Sequence, residues 1–338
     1  MKLAKVRSVL FISAGTFMIA MGQLNGIASA ATTNSSSTSS TANNNANSLK
    51  ISPLRTDLTI APGTTGIAKV YVTNLTSKPI ELQAIENDFV AGDESGTPAL
   101  ILNPASYAPS HSLKRFMVPI PNITLGAGAT QEVDVHIAVP KTAQAGGYFG
   151  ALRFAPAGSG SNLVNLNGSV ASLILMTVPG PTFEQLLLTN FAVQQDGGSA
   201  TSFRNPNNLS LFVRFENKGN LQESPFGQMY VQKGKKVLYT YDFNQADPQQ
   251  EILPDSFRRW SVPIKGMGKF GKYTVGATFT YGTKGETIDI TKTIWIIPTT
   301  YIFGGIITLV VLVVLIGGAW IFLKSYKRRI LKSSRRRY

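Results

Sequence analysis

Between residues 49 and 298 apolar and polar residues alternate in short runs broken by Gly, Pro, Asn and Ser. A period of two is the mark of strands that bury one face, and no long amphipathic helix interrupts it. After the turn signal Ala61-Pro62-Gly63, the run Ala68-Lys69-Val70-Tyr71-Val72-Thr73-Asn74 alternates, and residues 132–139 alternate again before Pro140. Residues 149–154 and 170–178 supply further strands, joined by a loop at 158–169 rich in Gly, Ser and Asn. Beyond Pro181 the pattern predicts strands at 187–194, 210–217, 228–232, 237–242, 258–263, 273–281 and 287–297. The expected fold class is all-β: two tandem Ig-like β-sandwich domains, at 49–181 and 182–298, followed by one C-terminal transmembrane α-helix.

The two halves share a grammar. A strand ends in Asn at Asn74 and Asn217, a Leu-led turn follows at Leu125 and Leu253, a strand closes on Val-Pro at Val139 and Val262, and a Gly-aromatic start precedes Tyr148 and Tyr273. Such recurrence is what two stacked domains of one type produce. Each tyrosine is placed to fold back onto the loop before it, as a corner tyrosine does in an Ig-like sandwich; stacking on a glycan is the functional alternative.

The ends of the chain follow other patterns. Residues 301–323 carry no charge over 23 positions, and as a helix they measure about 34 Å against a hydrocarbon core of about 30 Å. Tyr301 and Trp320 lie near the two ends of this run, and Lys324, Lys327, Arg328 and Arg329 follow it. By the positive-inside rule these cations orient a single-pass helix with the N-terminus outside and residues 324–338 as a basic cytoplasmic tail. At the other end Lys2, Lys5 and Arg7, the apolar run 9–21 and Ala28-Ser29-Ala30 form the three parts of a signal peptide, residues 1–30, cleaved after the small residues Ala28 and Ala30. Residues 31–48, largely Ser, Thr, Asn and Ala, read as a disordered linker. The expected location is therefore the cell membrane, with the bulk of the chain extracellular.

Charge changes the picture less than its total suggests. Of 32 basic residues three lie in the signal peptide and eight in the last fifteen positions, leaving 21 against 18 acidic ones. The net charge of +14 thus belongs to the ends. The exterior lacks the clustered basic footprint that nucleic-acid binding needs. With no cysteine in the chain, disulfides, thiolate metal sites and cysteine nucleophiles are excluded, and an exported chain of this kind suits a bacterial envelope.

Candidate chemistry is sparse. His136 lies mid-strand beside Asp134 on the face opposite Val133, Val135 and Ile137, and His111 lies in the loop Pro109-Ser110-His111-Ser112. Neither stands in a nucleophile elbow, P-loop, Rossmann fingerprint or HExxH motif, so the expectation is a non-enzyme with no catalytic residue, no cofactor and no metal ligand. Glu86, Asp88, Asp93 and Glu94 form the densest acidic cluster. A solvated acidic loop is the plain reading; calcium is the alternative, although the spacing is not that of an EF-hand. Asn-x-Ser/Thr triplets at Asn34, Asn74, Asn122, Asn167 and Asn208 are weak signals that a bacterial host would ignore.

The layout resembles that of the WxL-interacting proteins of Gram-positive bacteria. The local resemblance lies in the VYVTN strand, the NDFVAGDESGTP segment, the passage LGAGATQEVDVHIAVPKTAQAGGYFGALRF leading to ASLILMTVPG, and, in the second half, LFVRFENKGNLQESPFGQMYV with LPDSFRRWSVP. The resemblance implies a membrane-anchored binding or scaffold protein, with a first domain contacting peptidoglycan and a second facing matrix or surface-protein partners. The rival function is an envelope chaperone or assembly factor whose open sheet edge accepts a partner strand.

Overall fold

The computed structural model describes residues 48–157 and 169–334. The expected signal peptide with Ala28 and Ala30, the leader up to residue 47, residues 158–168 and the final arginines lie outside the described residues.

The first half contains β1 (Leu49–Ser52), β2 (Arg55–Thr59), β3 (Thr65–Asn74), β4 (Ile80–Ala91), β5 (Pro98–Leu100), β6 (Ile123–Leu125), β7 (Thr130–Ala138), β8 (Gly146–Pro156) and β9 (Val170–Val178). The second contains β10 (Leu186–Gln195), β11 (Gly198–Ser199), β12 (Ser202–Phe203), β13 (Leu209–Asn217), β14 (Phe226–Lys233), β15 (Lys236–Phe243), β16 (Ser256–Pro263), β17 (Gly271–Tyr281) and β18 (Glu286–Ile296), followed by helix α1 (Thr299–Ser334).

Strand order in the first half is β1-β3-β7 facing β2-β9-β8-β4-β5, with β6 also on β4. In the second it is β11-β10-β13-β16 facing β12-β18-β17-β14-β15. Apart from β6 and β11, which have no counterpart, the two orders match, β1 with β10, β2 with β12 and β9 with β18. In both, a short strand joins the last one in parallel while its neighbours pair antiparallel. This repeated strand order, rather than composition, makes each half an Ig-like sandwich.

Alternation puts one face of each strand into a core. Ala68, Val70 and Val72 of β3 meet Val135 and Ile137 of β7 with no exposed surface. The second core is aromatic: Phe215, Phe243, Phe279 and Trp260 pack mostly edge to face at ring separations from 5.0 to 6.5 Å. A ring edge against a ring face lets the quadrupoles attract, in addition to the area buried.

The shared grammar has a physical basis. Asn74 and Asn217 are fully buried. Each oxygen accepts a backbone N–H two residues on, from Thr76 and Gly219, and each amide donates to a carbonyl four residues on, from Lys78 and Leu221. Each also donates into the facing Leu-led turn, at Gly126 and Ile252. Asparagine is required because both donor and acceptor are used in a dry place. The tyrosines fold back as their spacing predicts: Tyr148 donates to Gln144 O at 2.9 Å, while Tyr273 accepts from Gly268 N–H at 2.9 Å.

One expectation needs correction. Residues 86–91 are not a loop, because β4 runs from Ile80 to Ala91. β1 and β2, which flank Pro53, also go unmarked by the alternation. Helix α1 contains the expected span 301–323, and Thr299–Tyr326 is long and apolar enough to cross a membrane. Lys324 lies in that stretch with its ammonium 4.7 Å from the Trp320 ring, and Lys327, Arg328 and Arg329 continue the same helix.

Candidate functional site

The predicted acidic cluster is dispersed by the fold. Asp88 is fully buried; its carboxylate accepts the Ala108 N–H, the Ser112 hydroxyl and the Lys114 N–H at 2.8, 2.6 and 2.9 Å. Glu86 accepts the Ile120 N–H, and Asp93 accepts the Ser95 hydroxyl and N–H. The Ser95 hydrogen bonds hold the Asp93 carboxyl below the usual range. Glu94 binds Arg214 through both oxygens, at 2.6 and 3.0 Å, which lowers its carboxyl as well. Glu86 and Asp88 thus serve structural contacts within β4, whereas Asp93, exposed in the loop after β4, fits the solvated-loop reading, and Glu94 is drawn into an ion pair. Among the described residues no group of three or more His, Cys, Asp and Glu is placed to hold a metal ion.

His136 is exposed on β7, as expected from its parity. His111 adopts a left-handed backbone at φ 58° and its Nδ1 lies 2.6 Å from Gly147 O, so that nitrogen carries the proton. With Arg115, Phe116, Tyr148 and Asn220 it lines a surface cleft of about 570 Å³. Asn220 ties the halves together: its amide donates to Ala145 O at 2.8 Å, its carbonyl accepts the Gly147 N–H at 2.7 Å, and its side-chain oxygen accepts the Phe183 N–H at 2.8 Å. Arg55 with Glu251, and Glu94 with Arg214, add ion pairs across the same seam.

The feature that differs most between two otherwise matching sandwiches is the outer edge of the last strand. In the first, β2 lies along Leu173 to Thr177 of β9, and Ile60 N–H extends the pairing to Thr177 O. Every core-facing residue of β9 from Ser172 to Val178 is then buried. In the second, β12 pairs only with Trp295 and Ile296 of β18. Among the described residues no strand pairs with the outer edge of β18 from Glu286 to Ile294.

Which backbone groups face outward follows from parity. Trp295 N–H donates to Thr201 O and Ile297 N–H to Phe203 O, both away from β17. Odd-numbered residues therefore turn N–H and C=O outward, and Thr287, Asp289, Thr291 and Thr293 present a row of groups with no backbone partner among the described residues. Burial records the missing cover: Ile294 and Ile296, at or beside β12, are fully buried, whereas Ile288, Ile290 and Lys292 are half-buried on the same core-facing side. Lys292 reaches the facing sheet, its ammonium 3.2 Å from Phe191 O. At the far side of this sheet β15 carries Lys236 and a bulge in its pairing at Val231/Gln232, two devices that discourage edge pairing.

No protein-family model matches the chain, and no curated protein does. Among solved structures it is similar to the class 5 fimbriae chaperone CfaA, at 11% identity over 74% of this chain and 99% of that one, with a TM-score of 0.37. The YadV chaperone gives 13% identity over 73% and 100%, with a TM-score of 0.32. The CsuC–CsuE chaperone–tip adhesion subunit pre-assembly complex of Acinetobacter baumannii gives 10% identity over 72% and 97%, with a TM-score of 0.35. The assignment of the fold rests on the strand order of this chain itself.

Proposed function

We propose that the protein is a membrane-held assembly factor that keeps extended segments of other surface proteins in place by β-strand addition to β18. A single observation carries this reading: among the described residues no strand covers the outer edge of β18 before Trp295, where the matching edge of β9 is covered by β2. Strand addition draws its affinity from main-chain hydrogen bonds and its specificity from alternate side chains, so it needs neither a deep pocket nor catalytic groups. In this reading α1 anchors the chain, Lys324, Lys327, Arg328 and Arg329 lie on the cytoplasmic side, and both sandwiches lie outside. The WxL-interacting resemblance, with its peptidoglycan-contacting first domain, would instead place function in the first sandwich.

The test is amide hydrogen exchange on the full chain in lipid nanodiscs, with and without a heptapeptide of alternating valine and threonine. The expected result is slowed exchange at Thr287, Asp289, Thr291 and Thr293. Unchanged exchange at saturating peptide, with co-sedimentation of the nanodiscs on peptidoglycan sacculi, would replace strand addition by the peptidoglycan reading.

A further inference from the structure

We propose that the segment taken up by β18 runs parallel to it and carries an acidic residue opposite Lys292, preceded two and four positions earlier by β-branched apolar residues. This rests on the strand-addition reading and gives the partner a chemistry.

The orientation comes from the first sandwich. β2 fills the matching slot on β9 in parallel, and β12 already lies parallel to β18 at Trp295 and Ile296. An incoming parallel strand would end where β12 begins and continue its line. The register comes from the corner tyrosines. Tyr148 pairs with Met176 and Tyr273 with Ile294, each two residues before the end of its strand. Position 176 therefore matches 294, and Ile174 matches Lys292. In the first sandwich Ile174 is fully buried opposite Thr56, and Met176 lies opposite the apolar Leu58.

The side chains follow from what the slot presents. Ile288, Ile290 and Leu188 pack against the second core with part of their surface uncovered, which suits apolar partners opposite 288 and 290. Lys292 is a cation at a position where the twin sandwich carries isoleucine. One of its three ammonium protons is used by Phe191 O, and no carboxylate lies within ion-pair distance among the described residues. A strand laid across it would bury this charge further, which is costly without an opposite charge. An apolar strand, or one bearing a cation, is thereby bound more weakly, and an acidic one is preferred. Two copies meeting edge to edge about a two-fold axis would be antiparallel, so the parallel slot does not suit self-pairing.

The absence of cysteine from the chain allows a clean test of direction. The probe is the peptide Val-Thr-Val-Thr-Glu-Thr, its Glu-to-Gln and Glu-to-Lys versions, and copies extended by one cysteine at either end. With the full chain in nanodiscs, the Glu peptide is expected to bind about fivefold more tightly than the Gln peptide and the Lys peptide more weakly still. Lys292→Gln should erase this order while keeping the exchange protection, and Lys292→Glu should invert it. In Thr287→Cys, disulfide formation under diamide should favour the peptide with its cysteine at the N-terminus. Protection without a charge preference, a preference that survives Lys292→Gln, or crosslinking through the C-terminal cysteine would overturn the inference and leave strand addition standing. Protection of β18 without peptide, rising with protein density, would assign the edge to a second copy and overturn it. Protection by none of the peptides would remove strand addition as well.

Discussion

In the first sandwich the chain leaves one sheet for the other after the four residues of β1, turns at Pro53, and lays β2 along five residues of β9. In the second, β10 stays on its own sheet for ten residues and crosses late, so that only Ser202 and Phe203 reach β18. The strand order is the same. The point at which the first strand changes sheets decides whether the last strand is sealed, and with it whether the sandwich is closed or open. An open edge is a liability that folded proteins blunt with bulges, short strands and inward charges. At β18 one such device, Lys292, is present while the row of unpaired backbone groups remains, an arrangement that suits admission of one class of strand better than exclusion of all.

The sharpest way to break this contrast is to open the first sandwich. Leu58 shares the parity of Leu54 and Ile60, whose backbone groups bond to β9, so Leu58→Pro removes a ladder N–H from β2. The expected cost is about 3 kcal/mol or more, from a β9 carbonyl left unpaired and the lost packing of Leu58 on the first core, with faster amide exchange at Leu173, Leu175 and Thr177. An unchanged melting temperature would show that β2 does not seal the first sandwich.

A second contrast concerns two buried carboxylates. Asp88 has three donors, whereas Glu223, 3% exposed, has an oxygen with no partner and is pushed up to about 7 by burial and by Glu184. The neutral form is favoured in the folded state, so the folded chain binds more protons than the unfolded one between the two titration ranges. Stability is full below the ordinary carboxylate range and is lost as pH rises through about 7. The loss amounts to about 3 kcal/mol at pH 8. Glu223→Gln should flatten the dependence of melting temperature on pH, and a profile as steep as the parent's would locate the effect elsewhere.

The smallest expected difference is between the corner tyrosines. Tyr273 is 1% exposed, and its loss as Tyr273→Phe leaves the Gly268 N–H without its acceptor, a cost of about 1–2 kcal/mol. Tyr148 only donates to Gln144 O, at a site water can reach, so Tyr148→Phe should cost about half as much or less. Equal melting shifts would mean that the two corners are equally buried in solution.

Strands that alternate cleanly were legible from the chain, as were the twin asparagines and tyrosines, because a period of two and a repeated polar residue in an apolar context are local signals. β4 was not. Glu86, Asn87 and Asp88 interrupt its apolar pattern, and only the backbone N–H groups of Ala108, Lys114 and Ile120 and the Ser112 hydroxyl, which come from farther along the chain, make carboxylates tolerable there. The role of Glu94 was hidden for the same reason, since Arg214 is 120 residues away.

By itself, the sequence determined the class of fold, the duplication and the apolar C-terminal helix, all of which follow from hydrophobic period and length. Only the tertiary structure decided that one sandwich is sealed and the other open. That difference depends on where a strand crosses between sheets and on which backbone groups then lack a partner, and backbone N–H and C=O are the same groups in every residue but proline, so no side-chain pattern announces them.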